Sequence, residues 1–90
     1  MLNKYLVEFA GTAFFLYVII ATGNAMAIGA ALTIAILLGG KISGGNFNPA
    51  VSVMMVAAGK LPQKELLPYI IAQVLGGLTA LELSKKVKLN

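Results

Sequence analysis

The chain is a succession of long apolar stretches broken by short polar segments. No Lys, Arg, Asp or Glu falls between Phe9 and Gly40, between Ile42 and Gly59, or between Leu66 and Leu81. Gly23-Asn24 is a turn signal inside the first stretch, so two spans are predicted there, over about 5–23 and about 26–40. A helix of roughly 19 residues at ~1.5 Å per residue covers the ~30 Å hydrocarbon core of a bilayer. The second span is rich in Ala27, Gly29, Ala30, Ala31 and Ala35, small side chains that let helix backbones approach closely in lipid. Gly39-Gly40 is expected to break it before Lys41. A third span is predicted over about 62–84, opening at Pro62, with Pro68 as a kink and Lys85, Lys86 and Lys88 as cations at its negative end.

Between the second and third spans the pattern changes. Ser43-Gly44-Gly45-Asn46-Phe47-Asn48-Pro49-Ala50 cannot run as one helix, because two glycines favour irregular backbone and Asn48-Pro49 is a helix start. Asn caps well, and Pro suits the first helical position, where its missing N–H has no acceptor anyway. Helical pattern then holds as far as Ala58, with Gly59 as a C′ residue. About ten residues give ~15 Å, half a membrane. A segment over about 41–59 that enters and leaves by the same face is therefore predicted. Its half-helix aims unpaired N–H groups and a positive dipole end into the bilayer centre. Irregular backbone at that depth must be buried in protein or line a wet cavity, so a pore or substrate site is the expectation. The plain structural alternative is a kinked re-entrant hairpin with no transport role.

Composition sharpens this picture. With 59% hydrophobic and 11% charged residues among 90, a small soluble domain would lack the polar side chains to cover its surface. A buried helical core of a soluble complex is the lesser alternative. The whole chain, 1–90, reads as one all-α, multi-pass membrane unit of three transmembrane helices and one re-entrant half-helix. Which membrane holds it is not readable. The net charge of +4 comes from seven Lys against three Glu, and the Lys sit near segment ends as interfacial anchors. No stacking aromatics accompany them, which argues against a nucleic-acid partner. The first 27 residues imitate a secretory signal, but Glu8 opens the apolar run and a second apolar run follows, so cleavage is not expected. There is no Cys, His, Asp or Arg, and no paired base or metal-ligand spacing around Ser43, Ser52, Thr12 or the three Glu. No enzyme, cofactor or metal site is predicted.

The segment Ser43-Gly44-Gly45-Asn46-Phe47-Asn48-Pro49-Ala50-Val51 resembles the Asn-Pro-Ala (NPA) loop of the aquaporin, or major intrinsic protein, family in its first-repeat form. Glu8-Phe9-Ala10-Gly11-Thr12 resembles the family's opening of the first helix. Tyr69-Ile70-Ile71-Ala72-Gln73-Val74-Leu75-Gly76-Gly77 resembles its third-helix segment, and the match runs through nearly the whole chain in order. The resemblance implies roles. Asn48 would cap its half-helix and offer its amide to solute at the pore centre, while Pro49 and Ala50 stack on the same loop of a second half. Glu8 would be a buried carboxylate supporting the loop, and Gln73 a second support. Read without the family, the lesser alternatives are Glu8 as an interfacial carboxylate reaching water and Gln73 as a polar group bonding another helix.

The departures from the family pattern matter as much. A full member carries two inverted repeats, whereas one is found here. The Arg that follows the motif in a second repeat is absent, and Val51 stands after Ala50. Ile28 before Gly29 takes the place of an aromatic, and Asn46 that of a common His. A selectivity filter built from this chain would be apolar, from Ile28 and Val51, with Ile36 and Gly45 as weaker candidates. The expected assembly is an antiparallel homodimer, a full pore made from two inverted copies, with four such dimers suggested by the family. The distribution of Lys4, Lys41, Lys60 and Lys64 against Lys85, Lys86 and Lys88 gives little orientation bias, which permits both topologies. The expected function is a passive channel for water or small neutral solutes such as glycerol. The alternative is a non-conducting partner that packs with another membrane protein.

Overall fold

The computed structural model describes residues 3–87. Four α-helices follow one another, α1 Lys4–Thr22, α2 Ala25–Ser43, α3 Pro49–Ala57 and α4 Leu66–Lys86, with a 3₁₀ turn over Gln63–Glu65 leading into α4. Capping chemistry sets most of the ends. Asn3 accepts from Tyr5 N at 2.7 Å to start α1, and Gly23, at φ 56°, closes it in the left-handed conformation. Asn24 then accepts from Ala27 N at 2.9 Å and starts α2 at once. Helices Lys4–Thr22 and Ala25–Ser43 and the run Gln63–Lys86 are each long and apolar enough to cross a bilayer. The chain is an integral, multi-pass membrane protein.

The distribution of side chains is that of a protein solvated by lipid. Leu37, Leu38, Met26, Leu67 and Leu78 face outward, whereas Glu8, Thr12, Ser43, Asn46, Ser52, Glu65 and Gln73 are buried. Helix contacts depend on small residues. Ala31, Ala35 and Gly39 form the buried stripe of α2, while Gly29 and Ala30, also small, are exposed. A Cβ on Gly76 would lie 2.6 Å from the Phe9 carbonyl oxygen, so α1 and α4 meet backbone to backbone there. Contacts from Tyr5–Tyr69 through Glu8–Gln73 to Leu16–Gly77 show that α1 and α4 run in the same direction. The start of α1, the end of α2 and the 3₁₀ turn therefore share one membrane face.

One expectation is corrected. Gly39-Gly40 does not break the second helix, which runs on to Ser43 with Gly44 N bonded to Gly40 O at 2.8 Å. Gly39 serves packing instead, since a Cβ there would meet Val7 Cγ1 at 2.6 Å. In lipid a broken helix has no water to satisfy it, so the ladder persists until Gly44, at φ 93°, leaves it. Pro68 lies in the first turn of α4, where a missing N–H is cheapest, and the end of that helix extends to Lys86. Lys88 lies outside the described residues.

Candidate functional site

The loop between α2 and α3 is held at mid-membrane by one aromatic and one carboxylate. The Phe47 ring fills the space left by Gly11 and Gly39 and joins Val7 and Ala35 in the buried core. Gly11 is the eighth residue of a 19-residue helix, so Phe47 anchors the loop close to the middle of α1. Phe47 has φ 54°, a left-handed backbone that few side chains adopt, and Gly45 before it has φ 66°.

Glu8 is fully buried, and each of its oxygens accepts two hydrogen bonds. Oε2 accepts from Ser43 Oγ at 2.7 Å and Asn46 N at 3.1 Å. Oε1 accepts from Phe47 N at 2.8 Å and Gln73 Nε2 at 2.8 Å. Four donors match the four lone-pair sites of the carboxylate. Gln73 also donates to Ser52 Oγ at 2.8 Å, and Asn46 Nδ2 donates to the same hydroxyl at 2.9 Å. Buried polar groups from α1, α2, the loop, α3 and α4 thus form one connected set.

Asn48 lies at the tip. It is exposed, its Oδ1 accepts from Ala50 N at 2.8 Å, and its carbonyl takes the first helical bond of α3, from Ser52 N at 3.0 Å. Its Nδ2 has no partner among the described residues. Pro49 is half-buried and Ala50 exposed beside it. Of the four filter candidates, two are neighbours, since a Cβ on Gly45 would lie 3.5 Å from Ile36 Cγ1. Val51 is half-buried on the first turn of α3. Ile28 stands 11 residues before Gly39, about 16 Å of helix rise away toward the opposite face, so one chain does not place Ile28 and Val51 in a single ring.

A groove of about 560 Å³ opens above the tip, between the second halves of α1 and α4. Its floor is Phe47, Asn48 and Pro49, and its walls include Phe15, Leu16, Ile20, Val74, Gly77 and Leu78. Thr12 Oγ1 and Gln73 Oε1, both on its lining, are buried without a hydrogen-bond partner. Thr12, Ser43, Ser52 and Tyr69 have no role predicted from sequence. Thr12, Ser52 and Gln73 did carry a signal, as isolated polar residues deep in apolar helices.

A family model described as major intrinsic protein matches residues 1–90. The chain is 45% identical over 96 residues to Aquaporin Z of Brucella melitensis biotype 1, covering 89% of this chain and 42% of that protein. It is 40% identical over 88 residues to glycerol uptake facilitator protein-like 6 of Lactiplantibacillus plantarum, covering 88% of this chain and 41% of that protein. The chain thus spans about two fifths of the length of these relatives, at 42% and 41%. No solved structure matches it.

Proposed function

The chain belongs to the major intrinsic protein family, a family of membrane channels and not of enzymes, and from that premise we propose that it is one unit of a passive channel for water and small neutral solutes. The observation that carries the proposal is the half-helix. The start of α3 lies at mid-membrane with Asn48 exposed, at the floor of a groove whose lining holds two unpaired buried polar atoms. Lipid cannot satisfy the exposed Asn48 amide and the polar backbone at the start of α3, at several kcal/mol for each unpaired group in hydrocarbon. In the proposed channel a second unit covers them.

In this reading that unit is an inverted copy, so that two half-helices meet at Asn48, Pro49 and Ala50. The single unit 1–90 then contributes half of the pore. Two Asn48 amides replace hydrogen bonds of a passing molecule, and two positive helix ends repel cations and protons, as is general for aquaporin-type pores. Glu8 and Gln73 support the loop. Inversion also brings Val51 of one copy toward the half of the membrane that holds Ile28 of the other, which gives an apolar filter on each side of the centre. Ile36 beside Gly45 lines the approach. An apolar ring favours glycerol-like solutes with carbon surface over bare water.

The test is stopped-flow swelling and shrinking of proteoliposomes. Glycerol flux above that of empty vesicles supports the proposal. Fast water flux without glycerol flux contradicts the solute preference, and absence of both favours a non-conducting partner of another membrane protein.

A further inference from the structure

A second polar cluster lies at the membrane face where α1 begins. Glu65, in the 3₁₀ turn, is buried and accepts from both Lys4 Nζ and the Tyr5 hydroxyl. The Lys4 side chain keeps 40% of its surface exposed while that of Glu65 keeps 8%, so the cation reaches the interface and the carboxylate does not. The Tyr5 ring meets the Tyr69 ring edge-on, at 6.0 Å between centroids and 89° between planes. The Tyr69 hydroxyl then donates to the Ser43 carbonyl at 2.6 Å.

Ser43 is the residue at which α2 gives way to the loop. Its carbonyl belongs to the last turn, where no helical N–H follows, and Tyr69 supplies the missing donor. Its hydroxyl donates to Glu8 Oε2 at 2.7 Å and accepts from Gly45 N at 3.2 Å. An unbroken series of hydrogen bonds and one ring contact therefore joins Lys4 and Glu65 to Ser43, and Ser43 to Glu8 and the loop amides.

We propose that Glu65 is a positioning residue for the loop. By fixing the Tyr5 hydroxyl it fixes the ring against which Tyr69 rests, and so keeps the Tyr69 hydroxyl on the Ser43 carbonyl. The Lys4 ammonium, and after it the Tyr5 hydroxyl, holds the Glu65 carboxyl below its ordinary range. The conformation of the loop is in this way coupled to an ion pair at the membrane face. Its consequence for solute passage rests on the reading of the loop as pore wall, whereas the coupling itself does not.

Hydrogen exchange of the full chain in lipid nanodiscs, read by mass spectrometry on peptides containing residues 44–48, tests the coupling. Tyr69→Phe keeps the ring contact and removes the hydroxyl, and Glu65→Gln removes the charge. Each should speed exchange of the Asn46 and Phe47 amides about tenfold. The double variant should exchange no faster than Tyr69→Phe alone, because both act through one link. Glu82→Gln, which breaks the exposed pair with Lys85 at 3.2 Å, should leave the loop unchanged. Should Glu65→Gln fail to insert, Tyr5→Phe carries the same expectation. Unchanged loop exchange in Glu65→Gln, or effects of the two substitutions that multiply, would overturn the proposal. Faster loop exchange with unaltered solute flux in the same variants would instead sink the pore-wall reading and leave the coupling standing.

Discussion

Replacing Glu8 by Gln changes one oxygen to an NH₂ group and should weaken the whole loop. The new amide must point at one of two donor pairs. Toward Oε1 it would face Phe47 N and Gln73 Nε2, and toward Oε2 it would face Ser43 Oγ and Asn46 N. The Ser43 hydroxyl can reverse and accept, and the Gln73 amide can flip to present its unpaired Oε1. In either orientation, however, one loop amide, Asn46 N or Phe47 N, is left buried and unpaired. An unpaired buried donor costs about 1–3 kcal/mol, and the remaining bonds fall from charge-assisted to neutral strength. The sum is about 3 kcal/mol, a large part of the ~5–15 kcal/mol that holds a typical protein folded. Glu8→Ala strands both loop amides and leaves a cavity, for about 5 kcal/mol. Reversible unfolding in mixed micelles, with loop hydrogen exchange as a local probe, measures both. Stability of Glu8→Gln within about 0.5 kcal/mol of the parent, with unaltered loop exchange, would refute the carboxylate as the support of the loop.

Other outcomes follow from the same geometry. Gly11→Leu places a side chain where the Phe47 ring lies, so it should expel the ring, expose the loop amides to exchange and abolish glycerol flux in vesicle swelling. Val51→Arg should lower glycerol flux in the vesicle assay wherever it assembles, although two opposed copies would each carry a buried charge whose cost works against assembly. Single Cys residues at Lys60 or Lys86 should each be labelled by an impermeant reagent from both sides of a native membrane. Labelling from one side alone would exclude a homodimeric pore.

Much of the fold is legible in the residues themselves. Three apolar runs and the Asn48-Pro49 start predict three spans and a half-helix because each obeys a local rule of length or capping. Gly39-Gly40 misleads because the same residue type that ends a helix in water also permits contact in lipid. Val7 supplies the reason, its Cγ1 lying 2.6 Å from where a Gly39 Cβ would stand, and nothing in the local sequence signals a contact between residues so far apart. Glu8 carries two readings in sequence, interfacial or buried, since depth alone does not separate them. Its four partners come from three other segments and become visible only once those segments are packed. Tyr69 and Ser43 stand in recognisable motifs, but their contact is a matter of tertiary structure.

The central claim is that two copies meet inverted at the tips of their half-helices. Distances between spin labels on single-Cys variants, measured by pulsed electron resonance in lipid nanodiscs, address it directly. Labels at Ala50 should lie close together at mid-membrane. Labels at Lys86 should lie on opposite faces, separated by at least the ~30 Å hydrocarbon thickness. Labels at Ala50 that are far apart, or a pair at Lys86 sharing one face, would contradict the account.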